Sequence, residues 1–307
     1  MDAPSVVGLT GEQPAPEKLS PVRRRYNRPA ARAAGWGILA ALTLVPVAAA
    51  KAQSVLFPDG AARFEFPLAS PRASAMVGRI IHVSRGESRF GAEWEAEPAL
   101  GEVWPLLAIS SGRVPVTLHL GSEVYGRFSL SDKSSALISS DWHVNAILTA
   151  DLRRWHLALE GYHESSHLGD EYAERFTVQR VNWSREILGL WLGYTVGAVQ
   201  LRGNASWAAI DALNRGRGSA ALAAEWRGRA LRGLGPRVRP VLAGFANAEG
   251  YTGWDVTWSA RAGLRLADPD GRRAMAFLLN FLDGRSPQRQ FYLSRTRYLG
   301  VEVRFDL

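Results

Sequence analysis

A serine two residues beyond a histidine, on a stretch that alternates like a β-strand, is the pairing in this sequence best suited to covalent chemistry. From Trp155 the odd positions read Trp155, Leu157, Leu159, Gly161, His163, Ser165 and His167, and the even ones His156, Ala158, Glu160, Tyr162, Glu164 and Ser166. Successive strand residues point to opposite sides, so His163 and Ser165 share a face that is otherwise apolar. Serine is a weak nucleophile until a neighbouring base takes its proton, and that base needs a polar group to orient its ring. On the next strand Leu188, Leu190, Leu192 and Tyr194 make the even positions apolar, and Asn182, Ser184 and Glu186 continue that parity. Ser165 as nucleophile and His163 as base are the expected pair, cleaving an ester, and Asn182 shares their face. Asp170 and Glu171, in the loop between, offer hard oxygens of the kind that hold Ca²⁺, which would polarise the carbonyl. Two other readings stay open. His and Ser at the rim of a membrane strand cost little and can bond lipid phosphate, and His163, His167, Asp170 and Glu171 could together ligate a metal.

The elements that must carry these residues recur along the chain. Val114, Val116, Leu118, Leu120, Val124 and Phe128 oppose Thr117, His119, Glu123, Tyr125 and Arg127. At the carboxyl terminus Leu299, Val301, Val303, Phe305 and Leu307 alternate with Tyr298, Gly300, Glu302, Arg304 and Asp306. Each pattern is a two-faced strand. Such strands fall at 73–84, 88–98, 112–129, 137–151, 154–167, 177–196, 198–209, 217–230, 237–248, 254–267, 272–284 and 289–307. Polar on one face and rich in Trp, Leu and Val on the other, they predict an all-β fold, an antiparallel transmembrane outer-membrane β-barrel of about twelve strands. Closure leaves no backbone group unpaired in lipid. The competing fold is a soluble exported sandwich or lipocalin-like barrel with its apolar faces inward; the 11 tryptophans favour the membrane version, because Trp concentrates at bilayer interfaces. Charges such as Glu123, Arg127, Asp255 and Arg261 are expected in a polar lumen. Arg295 and Arg297 instead fall on the apolar parity and mark a bulge or the outer headgroup zone.

Residues 1–52 read as a signal peptide: Arg23, Arg24, Arg25, Arg28 and Arg32 precede an apolar run from Gly35 to Ala50 and an Ala50-Lys51-Ala52 cleavage site. Residues 53–72 read as a periplasmic leading segment and 73–307 as the barrel. The leader holds seven of the 37 Lys and Arg and three of the 29 Asp and Glu, so the remainder carries 30 against 26 and is only about +4. That balance gives no reason to expect nucleic acid. Without cysteine, thiol catalysis and Cys-ligated metals are excluded. The expected partners are membrane lipids, the outer-membrane assembly machinery and a second copy of the chain in a homodimer.

Phe57-Pro58-Asp59-Gly60, the run His163 to Tyr172, Arg180-Val181-Asn182-Trp183-Ser184-Arg185-Glu186, and Asp283-Gly284-Arg285-Ser286-Pro287 with Gln290-Phe291 resemble the family called domain of unknown function 1207. The resemblance covers almost all of the chain beyond the leader and implies an outer-membrane protein without supplying an activity. A more distant similarity is to the outer membrane phospholipase A family, which carries a Gly-Tyr-x-His-x-Ser motif on the outer wall of a twelve-stranded barrel and an Asn on the next strand. Here Gly161-Tyr162-His163-x-Ser165 lacks the spacer before His. The similarity implies Asn182 as the group that orients His163, and a phospholipid or lipid A ester hydrolase; the alternative is a non-catalytic structural or small pore-forming barrel.

Overall fold

The computed structural model describes residues 53–58, 64–72, 76–86, 94–111, 114–131, 133–231, 233, 237–268 and 273–306; the expected signal peptide lies outside them. Thirteen strands follow in chain order: β1 (Gln53–Leu56), β2 (Met76–Arg85), β3 (Trp94–Ser111), β4 (Val114–Ser129), β5 (Leu137–Leu152), β6 (Trp155–Leu168), β7 (Trp183–Val196), β8 (Val199–Asp211), β9 (Gly218–Arg227), β10 (Val238–Glu249), β11 (Thr257–Ala267), β12 (Ala274–Arg285) and β13 (Arg295–Asp306). Strands β2 to β13 pair antiparallel with their chain neighbours, and β13 pairs with β2, closing a twelve-stranded barrel. The extra strand, β1, lies against Leu107–Ser110 of β3, beyond the Trp94–Ala99 stretch that pairs with β2.

Expected and observed strands differ most at β3, which continues through Ser111 where the sequence pattern stopped at 98. Pro105 cannot donate to a ladder, and it is accommodated at a register shift between Pro105 and Leu107. Two expected strands also start late. Residues 170–176 form a short helix, α1 (Asp170–Phe176), and 289–291 a 3-10 turn, so β7 begins at Trp183 and β13 at Arg295.

The faces are inverted relative to a water-soluble protein. Leu159, Leu188, Leu190, Leu222, Leu279 and Leu299 point outward and are half or more exposed, while Arg79, Glu97, Glu123, Arg261 and Glu302 are buried inside. Leaving a leucine wholly in water forgoes about 1.5–3 kcal/mol. Being about half exposed, each forgoes roughly half of that, and about twenty such side chains would forgo on the order of 15–30 kcal/mol, more than the roughly 5–15 kcal/mol by which a fold is stable, so this wall requires lipid. Trp94, Trp104, Trp142, Trp155, Trp207 and Trp258 lie on that wall, whereas Trp183 and Trp191 turn inward.

Short turns join the strands at the end that carries the carboxyl terminus. Arg153 (φ 59°) and Gly197 (φ 59°) make two of them in the left-handed conformation. Longer connections, including α1 and the 3-10 turns, lie at the other end.

The stretch read as a periplasmic leading segment divides in two. After β1, residues 64–72 run inside the barrel as a strap. Phe66, Leu68 and Ala69 are buried, and Phe64 and Phe66 pack edge-on against Trp191. An isolated strap has no strand partner, so its backbone is satisfied by wall side chains. Arg261 donates to the carbonyls of Leu68 (2.9 Å) and Ser70 (3.2 Å), Ser259 Oγ donates to Ala69 O (2.5 Å), and Leu68 N donates to Glu225 (3.4 Å).

Candidate functional site

On the outer wall, β6 and β7 bring His163 directly opposite Glu186, and Ser165 opposite Ser184. His163 Nδ1 donates to Glu186 Oε1 at 2.8 Å. Both side chains are partly covered, 33% and 16% exposed, so the pair sits in the wall and not free above it. Ser165 follows two residues along the same outward face, with the indole of Trp142 across from it on β5. Gly169, just past this run, lets β6 leave the barrel sharply: its N–H donates to Ile138 O (2.9 Å), and a Cβ there would collide with the Leu137 carbonyl.

Asn182, expected as the orienting group, is not on β7. It is exposed and irregular, one residue before the strand begins. The physical reason is a side chain from another loop: Gln290 Oε1 accepts from Val181 N (2.9 Å), and Gln290 Nε2 donates to Val181 O (2.8 Å), so this backbone is taken up before it can enter the β6 ladder. The place beside His163 belongs to Glu186, which the parity of β7 already put on this face. Nothing in the sequence showed that Glu186, four residues further on, would be the one in register.

The loop acids are less organised. Asp170 and Glu171 begin α1, and Asp170 is paired with Arg180 on the exposed surface. Among the described residues no group of three His, Asp or Glu side chains is placed to hold a metal. Two carboxylates alone fall short of the six to eight oxygens that Ca²⁺ takes, and His163 is already engaged by Glu186.

A second polar constellation, not anticipated from the sequence, fills the lumen near the longer loops. Arg289 donates to Glu164 (3.0 Å), Glu249 (3.1 Å) and the Tyr251 hydroxyl (2.7 Å). The indoles of Trp183 and Trp191 donate to Glu164 (2.8 Å) and Glu160 (2.9 Å). Arg72, at the end of the strap, pairs with Asp141 and donates to Pro287 O. Between strap and loop remains a cavity of about 130 Å³ lined by Phe66, Tyr162, Trp191, Phe245 and these charges. The even positions of β6 mark the inward face. What distance in sequence hides is that Arg289, 125 residues later, closes over it.

Comparisons with known proteins agree with the architecture. The structure is similar to the Salmonella typhi outer membrane phospholipase (OMPLA) dimer with bound calcium, with a TM-score of 0.52 and 13% identity, over 78% of this chain and 91% of that one. It is also similar to outer membrane phospholipase A from Escherichia coli, with a TM-score of 0.54 and 14% identity, over 79% and 99%. Identities this low speak for the fold, an outer-membrane type of barrel, and not for an activity. No curated protein matches the sequence. The profile of one family does, across residues 46–307, and the chain therefore belongs to the family described as Protein of unknown function (DUF1207).

Proposed function

We propose that this barrel lies in the bacterial outer membrane and hydrolyses lipid esters at its outer wall, with Ser165 as nucleophile, His163 as base and Glu186 orienting the imidazole. The observation that carries this reading is the 2.8 Å bond from His163 Nδ1 to Glu186. It fixes the tautomer and leaves Nε2 to accept a proton, beside a serine on the same face. A histidine and a carboxylate on a lipid-facing wall are costly unless they bond each other, which favours a chemical role over decoration. Depth supports the same reading. Trp142, opposite Ser165, belongs to the aromatic belt that marks the bilayer interface, where the ester bonds of lipids lie.

Ser165 Oγ attacks the acyl carbonyl as its proton passes to His163. The protonated ring then returns that proton to the departing alcohol, and water releases the acyl group by the same relay. Export by residues 1–52, insertion by the outer-membrane assembly machinery and pairing into a homodimer belong to the same proposal.

Refolded protein is expected to hydrolyse phospholipid or lipid A. Ser165→Ala and His163→Asn should each reduce turnover by on the order of 10³-fold or more, with the double substitution little worse than either alone. Undiminished turnover in Ser165→Ala, or none in the unaltered protein on either lipid class, would rule the mechanism out.

A further inference from the structure

Four arginines meet on the outer face of β2, β12 and β13, at the barrel end with the longer loops. Arg85 stands directly across from Arg297 in one ladder, and Arg285 directly across from Arg295 in the next. Like charges opposed in this way destabilise a sheet, yet the backbone is shaped to oppose them. Between Arg297 and Tyr298 the register slips, leaving Ser84 without a ladder partner and turning Arg85 onto the face of Arg297; Ser84 Oγ donates to Arg297 O at 3.3 Å. On β12, Gly284 takes φ 147° where a Cβ would strike Thr257, and Arg285 N donates to Thr257 Oγ1 at 2.8 Å.

The described carboxylates nearby answer only half of this charge. Asp283 pairs with Arg297 (2.7 Å), and Asp255 holds both Arg295 (2.7 Å) and Arg285 (3.0 Å). Asp255, expected in the lumen, thus serves the outer rim instead. Among the described residues, four guanidinium groups against two carboxylates leave an excess of two positive charges, and no described carboxylate pairs with Arg85. Arg297 remains 52% and Arg295 40% exposed. Directly toward the middle of the barrel, the same outward rows continue as Phe281 and Leu279 on β12 and Leu299 and Val301 on β13.

We propose that this cluster binds the phosphate of a lipid headgroup in the leaflet at this end of the barrel. Planar guanidinium groups match phosphate oxygens two at a time. A basic rim immediately beyond an apolar wall lies at headgroup depth, where an anionic lipid can lay its chains on Leu299 and Val301 and its phosphate between Arg85 and Arg297. The proposal requires the barrel to lie in a membrane but is independent of ester hydrolysis, which occurs on β6 and β7.

The test reconstitutes the chain in phosphatidylcholine vesicles with and without phosphatidic acid. Two quantities are read: phosphatidic acid retained on the extracted protein, and the temperature at which the barrel loses its heat-modifiable gel mobility. The unaltered protein should retain phosphatidic acid and gain thermal resistance from it. Arg85→Gln with Arg297→Gln should bind on the order of tenfold more weakly or less, with lipid-ester hydrolysis unchanged. Should that pair fail to fold, Arg295→Gln alone should still lower retention, and Asp283→Asn should raise it. Equal retention in the unaltered and substituted proteins would overturn the proposal. So would an equal thermal shift from inorganic phosphate in phosphatidylcholine alone, because the site would then be one for a free anion.

Discussion

Glu186 and Asn182 have the same parity on one segment, and a displacement of four residues decides which of them can serve His163. An amide in that place would accept a hydrogen bond from Nδ1 but could not balance an imidazolium, whereas a carboxylate does both. Glu186→Gln should therefore lower turnover by on the order of 10²-fold, within the range attributed to acid–base assistance, while Asn182→Ala leaves turnover within about twofold, the usual indifference of an exposed position away from such features. Rates measured on the two variants separate the assignments: the opposite order would return Asn182 to the site. That His163 and Ser165 share the outer face was legible from alternation, because a polar pair on an apolar face is an anomaly at period two. Their partner was not, since the register of β7 on β6 is fixed by pairing across the two strands and not by alternation along either: it sets Glu186 opposite His163, and the same register extended would carry Asn182 to His167.

Among the elements, the strap of residues 64–72 is the one that fills the lumen from outside the strand ladder. Its anchors are of two kinds: Phe64 and Phe66 on Trp191, and charge pairs around Glu65. Arg227 donates to Glu65 at 2.6 Å, Arg265 lies 3.8 Å from its other oxygen, and Arg202 donates to its backbone carbonyl. Burial by itself would raise the Glu65 carboxyl, but Arg227, with Arg265 and Arg202 beside it, lowers it from 4.5 to about 2. A carboxyl held low in the folded protein contributes its full stabilisation above its ordinary value and loses it as pH falls through the folded one. The strap should therefore stay docked at pH 5 and loosen as pH approaches 2. In planar bilayers the unaltered protein is expected to be silent at neutral pH, and Phe64→Ser with Phe66→Ser to show discrete conductance steps. Steps of equal size and frequency in both proteins would mean that the strap does not close the lumen. The sequence could not reveal this element as luminal: nine residues without alternation carry no sign of which side of a wall they occupy.

At the scale of the whole molecule, closure rests on β13, which pairs with β12 from Asp306 to Arg295 and with β2 from Phe305 to Arg297. Deleting residues from Val303 onward removes the last four pairs with β12, Val303 to Asp306, and the last three with β2, and leaves two open edges in lipid. Such a chain is expected to show no heat-modifiable form on gels; a normally shifting band would mean that the terminal strand is dispensable. The sequence by itself determined the fold class and the existence of twelve barrel strands, because membrane barrels force apolar and polar residues to alternate, and alternation is a local property written along the chain. It determined as well that Arg295 and Arg297 break the apolar parity. Only the tertiary structure decided which residues stand opposite one another: Glu186 beside His163, Arg289 over Glu164, Arg85 against Arg297, and the strap against Arg261. These contacts join segments far apart in the chain through register shifts, loop returns and a chain threaded through a lumen, and none of those leaves a periodic trace in the residues it connects.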